Sequence, residues 1–503
     1  MPRISVAKLL DRMPEAFISD KHVTRTVSRA VKAGKLRKLA SRLYTRNMAD
    51  PPEAIVGRNL WNIVAGYFPG ALVADRTALE NAPASDGSIC LITARGRDIP
   101  LPGITLRPRR GPGPLPTDRP FLRGLYLSST ARAYLENMRP SRARRGLVAR
   151  TLDRAGIEKR LDTLIRRSGE DAANRLRDEI NSLAPGLDLE EEATTLDAMI
   201  GAPLGTRDAE LAAPPAVARH LGRPYDPDRL ILFQALHTAL RDHPPLSRMA
   251  PNRGPEGHAM LAFFEAYFSN FIEGTEFAVD EAADIVFRGV IPDERPADAH
   301  DILGTWRIVS DDREMSRSPG DACALNDLLK ARHASIMEGR PDKDPGTFKH
   351  AQNRAGSTVF VAPDLVAGTL AQGFDLCRSL ESPFQRAVFM KFLVSEVHPF
   401  SDGNGRTARI MMNVELAAAG EERIIVPTVY RANYLSALKA LSQSGRPEPL
   451  IRVLDYAQRW TAAIDWRSLD ATTSELDRCN AFLDPIVAED EGKRLRMPGG
   501  AAE

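Results

Sequence analysis

Apolar residues along the chain fall mostly at helical spacing. The run His258 to Gly274 (HAMLAFFEAYFSNFIEG) is apolar on nearly every face and ends in glycine, which predicts a helix with Ser269 and Glu273 four residues apart on one face. Pro383 to Val397, behind Ser382 as its cap, predicts another, with Phe400 as a core anchor after it. Ile410, Met411, Val414 and Leu416 to Ala419, running to Gly420, predict a third whose first turn carries Arg406 and Arg409. Leu230 to Leu240 predicts an apolar helix. Ile157, Leu161, Leu164 and Ile165, then Leu176, Ile180 and Leu183, mark amphipathic helices in a charged stretch that reads as a connector or a dimer-forming arm, so that a homodimer is one expected state.

The first 46 residues have a different layout. Val6, Leu9, Leu10 and Met13 predict one helix, and Lys21 to Ala33, capped by Asp20 and ended by Gly34, a second. Val23, Val27, Ala30 and Val31 would face a core, leaving Thr24, Arg25, Ser28, Arg29 and Lys32 outside. KLRKLASRLYT alternates like a short basic hairpin, so the order is helix, helix, wing. Beyond it, SICLIT and ITLRPRR read as strands around the turn-rich GPGPLPTDRP, and a helix is expected around Tyr134, Leu135 and Met138. Residues 47–140 thus predict a small mixed α/β domain. GTFKHAQNRAGSTVFVAP predicts two short strands around a turn at Asn353 to Gly356. The fold class is mostly α.

Composition sharpens this picture at three points. A chain of 503 residues, 43% hydrophobic, implies about three globular domains. Cys90, Cys323, Cys377 and Cys479 are far apart with no CxxC, which indicates neither a zinc site nor a disulfide framework and suits a reducing cytoplasm; no apolar run reaches membrane length and no signal-peptide core is present. The net charge of +2 hides a split, with +16 in residues 1–150 and −14 in the rest. A basic third on an acidic body points to nucleic acid as a partner at one end only. Arg107, Arg109 and Arg110 could extend that surface.

Candidate chemistry concentrates in His398 to Arg409, HPFSDGNGRTAR. A helix N-terminus attracts anions and disfavours cations, so two arginines in one first turn call for a ligand with several negative charges. A polyphosphate fits: Gly403 and Gly405 let the backbone close on phosphate oxygens, Asn404 adds an amide, Asp402 can hold the Mg²⁺ that a nucleotide brings, and His398 is left as the base. His237, His243 and His258 lack metal-ligand spacing.

This string resembles, position for position, the signature HxFx(D/E)GNGRxxR of the Fic family, whose members mostly transfer AMP from ATP to a protein hydroxyl. The resemblance implies an all-helical Fic domain over about residues 256–470, with a β-hairpin flap at 346–363 over the site, ATP and Mg²⁺ as cofactors, and a protein with a Ser, Thr or Tyr hydroxyl as partner. It assigns His398 as base, Asp402 to Mg²⁺, Gly403, Asn404 and Gly405 to the phosphates, Arg406 to the α/β-phosphates and Arg409 to the γ-phosphate. SNFIEG resembles the family's inhibitory motif (S/T)xxxE(G/N), here Ser269, Glu273 and Gly274, whose glutamate pairs with the second arginine and denies it to ATP. Fic kinases carry lysine at the position of Gly405, which argues against that activity. Removal of AMP by way of Glu273 stays open. The first 46 residues look like a winged helix-turn-helix, similar to the N-terminal domain of AbiEi-type antitoxins, with the likeness continuing through residues 47–140. That implies double-stranded DNA as a partner and leaves a DNA-binding regulator with a secondary Fic domain as the alternative. The expected layout is therefore 1–46, 47–140, a helical connector at 141–255, the catalytic domain at 256–470 with its inhibitory helix at 258–274, and a tail at 471–503.

Overall fold

The structure, a computed structural model, describes residues 13–499 apart from 95, 145, 208 and 245. It divides into two compact units, residues 1–222 and 223–503.

In the first unit, strands Ala16–Ile18, Leu43–Thr45 and Arg37–Ala40 form an antiparallel sheet with Leu43–Thr45 in the middle. Helix Thr24–Lys32 lays Val27 and Ala30 against Phe17 and Leu36. It starts three residues later than the spacing of apolar positions predicts, because the Asp20 carboxylate takes the N–H groups of His22 (2.8 Å) and Val23 (3.1 Å) and closes a turn there instead. Arg25, Ser28, Arg29 and Lys32 are exposed as expected. The helix expected over Val6 to Met13 falls almost wholly outside the described residues.

A six-stranded mixed sheet follows, in the order Ile99–Leu101, Ile104–Arg109, Ser88–Ile92, Leu72–Val73, Tyr126–Leu127, Arg119–Pro120. Its central strand Ser88–Ile92 is buried on both faces, so it reads as a continuous apolar run. The expectation that Arg107 and Arg109 present a phosphate-contacting surface is corrected here. Arg107 is buried and donates to Val148 O (2.6 Å), and Arg109 is paired with the buried carboxylate of Asp75 (2.7 Å), which Arg150 also holds (2.9 Å). Helix Arg154–Leu183, interrupted at Gly169 (φ 78°), packs Ile157, Leu161, Leu176 and Ile180 against Leu196 and Ile200 of helix Glu190–Gly201.

The second unit is helical apart from the hairpin Arg354–Ala355 with Thr358–Val359. Helix Pro383–Val397 runs through its centre and is buried almost all round. Ser382 and Gln385 cap it reciprocally, each side chain bonded to the other's backbone (3.1 Å both ways). Helix Asn404–Ala417 packs along it, and Phe233, Leu236 and Leu240 of helix Pro227–Asp242 join the same core. The segment before residue 256 therefore contributes to this unit's interior. Leu476, Cys479, Ala488 and Leu495 pack with Phe264, Phe268 and Trp460 of a second cluster, which makes the last stretch part of the packed unit.

Candidate active site

The site forms where two helix ends meet. His398 stops helix Pro383–Val397 in a left-handed conformation (φ 52°, ψ 61°). For a residue other than glycine that conformation costs roughly 1–2 kcal/mol and persists only where neighbours impose it. Gly403, also left-handed (φ 70°), begins helix Asn404–Ala417. A Cβ on Gly403 would stand 2.7 Å from Met337 Sδ, so space as well as conformation requires glycine.

Nδ1 of His398 lies 3.2 Å from the carbonyl oxygen of Ser395. A carbonyl can only accept, so Nδ1 carries the proton of the neutral ring and Nε2 keeps a lone pair. Phe360, just past the hairpin, stacks on the imidazole at 3.8 Å with 5° between the planes. Burial lowers the pKa of His398 to about 4, with the Lys349 charge acting the same way and the Ser395 carbonyl opposing. The ring is therefore neutral near pH 7 and able to accept a proton at Nε2.

Ser269 and Glu273 share a face, and both meet Arg409. The guanidinium donates to Ser269 Oγ (2.9 Å), Ser269 O (2.7 Å) and Glu273 Oε1 (2.7 Å). Burial works against ionising Glu273, but the Arg409 charge prevails and holds its carboxyl below the usual range. Glu273 caps the C-terminus of helix Gly254–Ile272, and Gly274 turns left-handed (φ 92°) after it. The carboxylate rests on the first turn of helix Asn404–Ala417: a Cβ on Gly405 would fall 2.0 Å from Glu273 Oε1. An anion thus already sits at that positive helix end.

The other predicted residues are placed differently. Arg406 is buried and paired with Asp301 (2.7 Å), with Asn270 Oδ1 at 3.3 Å. Asp301 is itself buried and also holds Arg340 (2.8 Å). A bound polyanion, the simplest account of two arginines in one first turn, is not needed to make them favourable, because the carboxylates of Asp301 and Glu273 on other helices pair with both. The Asn404 amide is engaged within the loop, accepting from Phe400 N–H (2.8 Å) and donating to Phe400 O (2.9 Å). Asp402 is exposed, and one of its oxygens takes the N–H of Gly403 (2.7 Å). Among the described residues no group of three or more His, Cys, Asp or Glu side chains could hold a metal ion.

Sequence reasoning did not identify the supports of this loop. His333 is fully buried and stacks on Phe400 at 3.7 Å. Its Nδ1 accepts from Gly346 N–H (2.9 Å), so Nε2 donates to Asp402 O (3.1 Å). Burial lowers its pKa to about 4, so it stays a neutral strut. Lys391, one face of the central helix, is buried beside the site with its ammonium over the Tyr434 ring (5.3 Å). Asn270 stands three residues before Glu273 and so on the same helix face, a signal that could have found it. Asp301 and His333 lie on helices Pro296–Val309 and Ala322–Ile336, with no pattern tying them to the signature.

Residues 322–416 match the Fic/DOC family, a span that contains the whole His398 to Arg409 string but not Ser269 to Gly274. The chain is similar to the protein adenylyltransferase fic-1 of Caenorhabditis briggsae, 26% identical over 239 residues, which cover 46% of either chain. It is likewise similar to the protein adenylyltransferase Fic of Culex quinquefasciatus, 26% identical over 45% of this chain and 44% of that one. The chain thus spans a little under half the length of these curated relatives. Among solved structures, Fic-1 residues 134–508 of C. elegans aligns over 68% of this chain and 90% of that chain at 18% identity, with a TM-score of 0.34.

Proposed function

We propose that the second unit is a protein adenylyltransferase that transfers AMP from ATP to a Ser, Thr or Tyr hydroxyl of another protein and is held off by Glu273. One observation carries this reading: a neutral His398 with an unprotonated Nε2 stands beside a positive helix end where Arg409 already holds a carboxylate. His398 Nε2 takes the proton of the target hydroxyl. The hydroxyl oxygen bonds to the α-phosphorus, and the α–β bridging P–O bond breaks to release pyrophosphate.

The backbone N–H of Gly405 faces the phosphates, Gly403 lets the loop close on them while its own N–H holds Asp402, and Arg409, once released by Glu273, meets the γ-phosphate. Arg406 sits too deep to leave Asp301 easily, so its part is to brace the turn while its charge adds to the local field. Asp402 fits Mg²⁺, since that ion needs one or two carboxylates and draws its other ligands from phosphates and water. When bound, Mg²⁺ would neutralise charge on the leaving pyrophosphate. The hairpin Arg354–Ala355 with Thr358–Val359 offers an exposed strand edge on which a target segment could align.

For the first unit we propose a winged-helix element, similar to that of AbiEi-type antitoxins, that contacts double-stranded DNA through Arg25, Ser28, Arg29 and Lys32. The exposed basic face of helix Thr24–Lys32 supports it.

The test is incubation of full-length wild type and His398→Ala with labelled ATP and a cell lysate. Loss of transfer by about 100-fold or more, with ATP binding intact, is the expected result. Equal labelling by both proteins would remove His398 as the base.

A further inference from the structure

The peptides that flank the left-handed His398 are held from outside the signature, by one short segment. The backbone N–H of Lys349 donates to Pro399 O (2.8 Å), and its ammonium donates to Asn353 Oδ1 (2.7 Å) and reaches Val397 O (3.4 Å). Asn353 Nδ2 donates to Phe400 O (2.9 Å). The Asn353 carbonyl accepts from the N–H of Phe360 (3.2 Å), whose ring covers the imidazole. Carbonyls on both sides of His398 therefore end on Lys349 or Asn353.

Lys349 is only 5% exposed and, among the described residues, makes no ion pair. Burying an ammonium without a carboxylate is expensive, and a neutral amide would anchor a surface segment at less cost. Burial lowers its pKa to about 7, with Arg229 on helix Pro227–Asp242 pushing the same way. What the ammonium supplies that an amide cannot is three donors on one atom and a positive charge beside the imidazole. The charged groups facing His398 are Lys349 and Lys391, which oppose its protonation, and Glu273, which favours it.

We propose that Lys349 is a positioning residue for His398: it fixes the peptide units on either side of the imidazole, so that Nε2 stays aimed and unprotonated. The proposal rests on His398 being the base. The Lys349 ammonium is spent on Asn353 Oδ1 and Val397 O, so its removal should act on the chemical step and not on nucleotide binding.

The experiment uses the full chain with Glu273→Gly, which frees the site, alone and combined with Lys349→Met, Lys349→Arg or Asn353→Ala. Two readouts are taken: kcat and KM for ATP in AMP transfer, and the His398 pKa from ¹³C-histidine NMR titration, assigned by the resonance missing in His398→Ala. Lys349→Met should lower kcat about 10- to 100-fold with KM for ATP changed by less than about threefold. It should also raise the His398 pKa toward the ordinary value of about 6.5, since a positive neighbour is lost and the ring is less shielded. Lys349→Arg should restore most of kcat, and Asn353→Ala, which leaves Lys349 in place, should repeat both effects more weakly. An unchanged kcat and His398 pKa in Lys349→Met overturns the proposal. So does a fall in kcat matched by equal losses in ATP affinity and melting temperature, which would make Lys349 merely structural. Should the Glu273→Gly protein transfer no AMP at all, the adenylyltransferase reading fails, while the NMR titration still decides whether Lys349 holds His398.

Discussion

The arginines of two helices, one in each unit, meet opposite fates. Arg406 and Arg409 lie buried in the first turn of helix Asn404–Ala417, each against a carboxylate from another helix. Arg25 and Arg29 stand exposed on helix Thr24–Lys32 and, among the described residues, make no ion pair. A buried, paired cation acts only when something displaces its partner, so it serves as a switch or a brace. An exposed cation acts at a distance through water, and its influence is screened by salt. Similar composition at the two places therefore gives internal ion pairs in one and solvated charge in the other.

The sharpest test of the buried pairs is Asp301→Ala, which strands the guanidinium of Arg406 and weakens the hold on Arg340. Breaking a buried pair from one side costs about 3–5 kcal/mol, so denaturant unfolding of the second unit should shift by that order. A shift under about 1 kcal/mol would mean that Arg406 is as free as a surface arginine. Glu273→Gly should act more on function than on folding. A third of the Glu273 side chain meets solvent, so its pair with Arg409 is weaker than a sealed one. At about 1–2 kcal/mol, its removal should raise AMP transfer, self-modification included, roughly 5- to 30-fold. Arg409→Ala should not mimic it, because the proposed γ-phosphate ligand is lost with the pair. Equal transfer by wild type and Glu273→Gly at saturating ATP would leave Glu273 as a helix end and nothing more.

The smallest effects belong to the exposed set. Arg25→Ala with Arg29→Ala should leave unfolding within about 0.5 kcal/mol of wild type. If both contact phosphates, the slope of log affinity for duplex DNA against log salt should fall by about 0.9 for each. Absence of duplex binding by the full chain at low salt would retire the DNA reading and leave these arginines as solvated charge.

Local chemistry reached far in this chain. The Ser382 cap, the shared face of Ser269 and Glu273 and a helix whose first turn carries Arg406 and Arg409 all follow from residues within one or two turns of each other, where spacing alone decides who meets whom. The contact of Glu273 with Arg409, 136 positions apart, was legible because SNFIEG resembles the Fic inhibitory motif and because each helix end carries a charge that its own dipole disfavours.

Tertiary packing settled everything that depends on a partner brought from elsewhere. Asp301 claims Arg406, His333 props the loop through Asp402 O, and Lys349 clamps the peptides around His398. None of these three sits at a helical or strand period from the signature, so no periodicity in the sequence could reveal them. The same holds for Arg107 and Arg109, which a linear reading leaves on the surface and the fold turns inward to Val148 and Asp75. Whether a charged side chain is a ligand, a brace or a solvated ornament depends on which distant carboxylate or carbonyl the folded chain carries within about 3 Å of it.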